Sequence, residues 1–484
     1  MRASGDAKSE ISNPGDAIVY QNPPETRTTL DLNDILTSSI PIELHQRPSS
    51  FQPPSTSLNR TNRSFNQGFN LSLLGQISPR TTTLSSSNHE TDLLRHFRYC
   101  IGPWIDVGDP DCALGIQVLL LSRTNRPLQA AVLALSASQR PLIAVPSHPE
   151  DLNSSFSFRT EAEDSLGLQS ELIGHAGRAL LLLQDLLPLG LQHWRDLLVP
   201  HMEAGLMHPA TMVEDLGEGI FWLLFRLDLA ASILMAKQPI IPFRSYINRD
   251  GSTIQNPHPT LQSRSINQVY KHALSLLGHC LSLIYGGPDA SLPQAATPSE
   301  FAAFPALQQS HFLSQWTFLW SDCQKWYNER PVDAKQIVDV RGGEADQIDP
   351  NHDSALPILI YTTPMALVAN VVYHITSLLL LGHKPRLLKS LPGPRCFTSH
   401  IWHAQSIAGI AASNESPEQW DPVLVASLLL IARDMTHQSQ QAVLMGIFRK
   451  ITATTGIKLD GETEAIQSVW KIARFDEDSD EMDM

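Results

Sequence analysis

EDLGEGIFWLLFRLDLAASILMAK, residues Glu214 to Lys237, is an apolar run interrupted at its centre by Arg226 and Asp228. Its apolar residues follow helical spacing and not the period-two alternation of a half-buried strand, so a helix is predicted. LGEGIFW resembles the start of a G-x-G-x-x-G phosphate loop, but it lies inside the helix-like run and follows no strand.

The same grammar extends outward. Upstream, HETDLLRHFRYCI has helical spacing and a Gly102-Pro103 terminator. DPDCALGIQVLLLSR offers Asp109 as an N-cap and Pro110 at the first helical position. RPLQAAVLALSASQR has small residues that permit close packing, and GLQSELIGHAGRALLLLQDLL follows. Downstream come SINQVYKHALSLLGHCLSLIYG, SHFLSQWTFLWSDCQKWYNE, MALVANVVYHITSLLLLG, SHIWHAQSIAGIAASN, DPVLVASLLLIARDMTHQSQQAVLMGIFRKITATTG and EAIQSVWKIAR. Proline and glycine mark the joints, and strand signals are nearly absent. The expected fold class is all-α. The helical part, residues 89 to 474, exceeds what one compact core usually holds, so two packed lobes or one long helical layer are expected.

Residues 1 to 88 are rich in Ser, Thr, Asn and Pro, with seven basic and seven acidic residues. Such a segment buries too little apolar surface to offset its ordering entropy, and disorder is expected. DLNDILTSSI (Asp31 to Ile40) is an amphipathic island within it, read as a chance cluster in a linker. At the other end, residues 475 to 484 form an acidic tail, which serves either solubility or docking. ALPILIYTTPMALVANVVYHITSLLLLG, Ala355 to Gly382, holds no Asp, Glu, Lys or Arg and is long enough to cross a bilayer. Its prolines, Pro357 and Pro364, confine the helix to the part from about Met365, so a buried helix is favoured over a membrane span.

The chain of 484 residues is 42% hydrophobic, 17% charged and carries a net charge of −14. That balance, with no basic run, argues against a nucleic-acid clamp. Five scattered cysteines, none in a C-x-x-C pair, point to reduced thiols and to no zinc site. The first ten residues contain no apolar core for a signal peptide.

Catalytic signatures are missing. G-x-S-x-G, H-E-x-x-H and the Walker loop are absent. His279 and Cys280 are adjacent and point apart on a helix, and His374 and His383 fall on nearly opposite faces. Arg226 and Asp228, at i and i+2, cannot face each other, so each is expected to meet its own partner or the solvent edge. Inter-helix pairing is favoured over an anion-binding role for Arg226. In HAQSIAGIAASN, His403 and Ala404 share a stripe with Ile407, Ile410 and Ala411, as a satisfied core histidine would. Trp316, Trp320 and Trp326 read as core aromatics.

In order, LLRHFRYCIGPWIDVGDPDC, RPLQAAVLALSASQR, IFWLLFRLDLAASILMAKQPIIP, YHITSLLLLGHKPR, SHIWHAQSIAGIAASN and WDPVLVASLLLIARDM…IFRKITATTG line up with one family. Over residues 89 to 456 the chain resembles the fungal-specific transcription factor domain found after six-cysteine zinc-cluster modules. Trp222, Arg226, Asp228, His403 and Ala404 are the residues that carry the signature. The resemblance implies an all-α regulatory domain of a nuclear regulator of RNA polymerase II transcription. It implies homo- or heterodimer partners among zinc-cluster regulators and, in some members, a small-molecule effector. It brings no catalytic residues. Residues 1 to 88 hold no cysteine, so this chain is expected to carry no zinc of its own and to reach DNA only indirectly or through a module upstream of Met1. The rival expectations are an all-α enzyme or small-molecule-binding protein with a buried apolar pocket, using His374, His403 and Asp228, and a membrane protein anchored by Ala355 to Gly382.

Overall fold

The structure is a computed structural model that describes residues 88–143, 151–203, 215–241, 264–286, 298–341 and 356–482. The segment expected to be disordered, with the Asp31 to Ile40 island, lies outside the described residues, apart from Asn88. The helices are α1 (Asn88–His96), α2 (Gly102–Ile105), α3 (Val118–Ser122), α4 (Arg126–Gln139), α5 (Asp151–Leu166), α6 (Glu171–Leu186), α7 (Trp194–Glu203) and α8 (Asp215–Met235). They continue as α9 (Ile266–Tyr285), α10 (Pro298–Glu329), α11 (Pro364–Gly382), α12 (His400–Ser413), α13 (Pro422–Ala432), α14 (Gln438–Thr455) and α15 (Asp460–Met482). The fold class is all-α. Its strands among the described residues are β1 (Val338–Val340) and β2 (Ile358–Ile360), antiparallel with Asp339 opposite Leu359.

Local chemistry sets the helix starts. Asn125, Thr363 and Asp421 each precede a proline in the first turn and accept a backbone N–H through the side chain, from Leu128, Ala366 and Val423. Ser265 and Gln268 form a capping box at α9. α14 stops at Gly456, whose φ of 76° a side-chain-bearing residue rarely adopts.

The apolar faces meet in one continuous core from Phe97 to Trp470. α4 packs on α5 and α6, α6 on α8, α8 on α13, and α11 on α9, α10, α12 and α13. The described helices therefore share one main core, not two lobes with separate cores. α11 is the stretch weighed as a membrane span. Its 18-residue apolar window is 83% buried inside the protein.

Several boundaries differ from the sequence expectations. The chain does not stop at Gly102-Pro103. A π-helical turn, Phe97–Ile101, carries α1 into α2, with the Gly102 N–H donating to the Phe97 carbonyl and Pro103 following directly. Pro110 lies in a turn, and helical structure begins only at Ala113 after Cys112, whose φ is 49°. Asp109 still caps, accepting the Ala113 N–H at 2.8 Å. α5 gave no apolar signal because it buries only Asp151, Ser155, Ala162 and Leu166. The Ser155 hydroxyl donates to the Ala134 carbonyl at 3.0 Å instead. α7, with Pro200 inside it, was likewise unexpected. α10 begins twelve residues before Ser310, at Pro298. The run after Asp421 breaks between α13 and α14, where Gln441 Nε2 donates to the Met435 carbonyl at 2.8 Å. The backbone of the acidic tail continues α15 as far as Met482.

Candidate functional site

α8 lies against α6, α9 and α13, so a charge at its centre must find a partner inside the protein. Arg226 is 2% exposed, and its Nη1 donates to Asp421 Oδ2 at 2.6 Å. Nη2 donates to the Ile105 carbonyl, and Nε to the Trp222 carbonyl at 3.2 Å. The Tyr270 hydroxyl donates to the same Asp421 oxygen at 3.3 Å. The other Asp421 oxygen accepts the Val423 N–H at 2.7 Å and so caps α13. One ion pair thus joins α2, α8, α9 and α13. Removing one member of such a buried pair costs about 3–5 kcal/mol, because the other charge is stranded.

Asp106 sits next to this hub and accepts the N–H groups of Leu114 at 3.1 Å and Gly115 at 2.7 Å. Burial, reinforced by the Asp109 charge, pushes its carboxyl up to about 7 despite those two bonds and Arg226. Gly115 has to be glycine, since a Cβ there would lie 2.4 Å from Asp106 Oδ2 and 2.9 Å from Gly102 Cα.

Asp228 points elsewhere. It is fully buried, and one oxygen accepts the N–H groups of Ile240 at 2.7 Å and Ile241 at 2.8 Å. It therefore fastens the proline-rich exit of α8 back onto the helix. Ser232 Oγ donates to its other oxygen at 3.3 Å, and Arg195 lies 4.0 Å away. Burial raises its carboxyl to about 6 against the pull of the two amides.

α11 and α12 bring His374 and His403 together, with their Nδ1 atoms 3.0 Å apart. His403 Nε2 lies 3.0 Å from the Phe397 carbonyl, which can only accept. His403 therefore carries its proton on Nε2, and its Nδ1 accepts from the Nδ1–H of His374. The rings of Tyr327, Tyr373 and Trp402 enclose the pair. Burial drives both imidazoles to the neutral form, His403 down to about 4 and His374 well below its ordinary value, where the neighbouring histidine lowers it further. The two are 1% and 0% exposed, so no substrate reaches them in this conformation.

At the far end of the stretch, Asn414 stitches α12 to β2. Its Nδ2 donates to the Leu359 carbonyl at 2.8 Å, and its Oδ1 accepts the Tyr361 N–H at 3.1 Å. The Ser413 hydroxyl accepts the Leu359 N–H at 3.2 Å.

The open concavity beside α8 has a different character. It is lined by Gly108, Asp109, Asp111, Glu218, Gly219, Trp222, Asn267 and Lys271, with about 340 Å³ of empty space, part of it open solvent. Its lining is polar, unlike the buried apolar pocket of the rival enzyme or small-molecule-binding reading. Trp222 forms one wall, donating from Nε1 to Glu218 at 3.1 Å and meeting Phe221 edge-on.

The signature residues thus occupy separate places. Arg226 and Trp222 share one turn of α8, Asp228 closes its exit, and His403 belongs to the α11–α12 contact. Ala404 is half-buried against the core. Of the three residues named for an enzyme, His374 and His403 meet and Asp228 is elsewhere. Asp421 is the partner that sequence reasoning missed, although a Trp-Asp-Pro start to an apolar run signals an N-cap. All five cysteines are free, and no group of three or more His, Cys, Asp or Glu among the described residues could hold a metal. No family model, no characterised protein and no solved structure matches the chain.

Proposed function

We propose that the chain is the helical regulatory and dimerisation domain of a nuclear transcription regulator of the fungal zinc-cluster class. The observation that carries this reading is the Arg226–Asp421 pair. The resembling blocks are scattered over residues 89 to 456, and this pair joins the central one to the closing one, with Ile105 of the opening block on the same guanidinium. The signature residues act as fasteners of the domain, as expected of a regulatory body. The sealed histidine pair gives no independent support to an enzyme. In a reporter test, residues 1–484 are fused to a heterologous DNA-binding module. Altered reporter output, lost with Arg226→Met, supports the reading. Unchanged output with a stably folded fusion in the nucleus overturns it.

A further inference from the structure

α5 presents two large apolar side chains to solvent. Leu152 and Phe156, one turn apart, are 66% and 74% exposed, and Asn153, Ser157 and Thr160 beside them are exposed too. Residues four apart share a helix face, so the two form one outward patch. Adjoining apolar side chains on an outward face mark a contact site, whereas scattered ones do not. The chain enters the described structure against this same helix. The His89 ring lies 3.7 Å from Asp151 in the first turn of α5, and Leu94 of α1 and Phe158 of α5 pack on one cluster around Leu93 and Leu133. Eighty-seven residues precede Asn88. Among them, residues 64–79, SFNQGFNLSLLGQISP, hold no Asp, Glu, Lys or Arg, and Phe69, Leu73 and Ile77 recur at the four-residue spacing of one helix face. The other apolar island, Asp31 to Ile40, is farther from Asn88 and carries Asp31 and Asp34.

From this placement we propose that residues 69–77 dock in cis on the Leu152–Phe156 face of α5. The reach suffices. Ile77 is eleven residues from Asn88, a span of about 36 Å when extended, against about 10–12 Å for the full width of a helix. A short tether holds the segment at a local concentration on the order of millimolar, so a weak apolar contact is populated without a large interface. Phe69, Leu73 and Ile77 supply the apolar stripe that meets Leu152 and Phe156, and the lack of charge in the segment leaves no ion to desolvate. This inference stands apart from the regulatory reading, and neither depends on the other.

The test is amide hydrogen exchange on the full chain, read on peptides that cover residues 69–77. Exchange slower than the intrinsic rate by at least about twofold is expected, the protection of a contact that is half formed. Leu152→Ser with Phe156→Ser removes that protection and leaves the melting temperature unchanged, since both side chains lie outside the core. Leu73→Ser with Ile77→Ser, which leaves the helical body untouched, removes it as well. The proposal is overturned if residues 69–77 exchange at the intrinsic rate in the native chain. Protection that survives both pairs of substitutions also overturns it. Protection that disappears on dilution, with a dimer mass at the higher concentration, assigns the face to a second copy and overturns it too.

Discussion

Arg226 and His374 are both polar side chains in the middle of apolar helices, and the core accommodates them in opposite ways. Around Arg226 it supplies an opposite charge, two carbonyls and a tyrosine hydroxyl, and the guanidinium stays ionised. Around His374 it supplies rings and a second histidine, and both imidazoles give up their charge. The first solution needs one distant residue, Asp421. The second needs only a choice of tautomers, and acid undoes it. A residue that cannot lose its proton must be paired, whereas one that titrates near neutrality can be neutralised by burial.

The largest expected effect breaks the charged side of this contrast. Arg226→Met leaves the buried Asp421 carboxyl without its cation, and denaturant unfolding should show a loss of about 3–5 kcal/mol. Adding Asp421→Asn, which keeps the α13 cap, should restore part of it. Strictly additive losses in the double-mutant cycle would contradict the pair's coupling.

Next comes the wall of the hub. Gly115→Ala pushes a methyl into Asp106 and the Gly102 backbone, which calls for a loss of about 1–3 kcal/mol. An unchanged melting temperature would mean that the α2–α3 connection yields more easily than its contacts suggest.

The neutral pair is probed by pH. Both folded-state imidazoles titrate below the unfolded value of 6.5, His403 at about 4. Their contribution is complete above about 6.5 and is lost as pH falls toward 4. Asp106 and Asp228 run the other way. Raised to about 7 and about 6, they favour the fold below the unfolded carboxylate value, and this is lost as pH rises through 6 and 7. His374→Leu with His403→Leu should therefore flatten the acid limb of the thermal stability curve and leave the limb above pH 6 in place. At neutral pH it should cost about 1–3 kcal/mol, chiefly from the stranded Phe397 carbonyl. An acid limb as steep as the native one would assign that limb to other groups.

The last effect, close in size to these, concerns the seam at the end of α12. Asn414→Ala removes the bonds to β2 and should cost about 0.5–1.5 kcal/mol for each net hydrogen bond lost, read by faster exchange of the Tyr361 amide.

The sequence by itself determined the helical class, because apolar spacing is a local signal that needs no partner. It also determined several helix starts, as Asn125-Arg126-Pro127, Thr363-Pro364 and Asp421-Pro422 show, because a cap and a proline act within one turn. It separated Arg226 from Asp228, since residues two apart cannot share a helix face. α5 escaped it because that helix packs through Ser155 and small residues and shows no apolar stripe. Only the tertiary structure could decide who meets whom. Asp421 lies 195 residues from Arg226, and His403 lies 29 from His374 on another helix. Such pairings follow from how whole helices cross in one core, which no local pattern encodes. The same holds for the acidic concavity beside Trp222, whose walls come from α8, α9 and the turn around Asp109 and exist only once those elements pack.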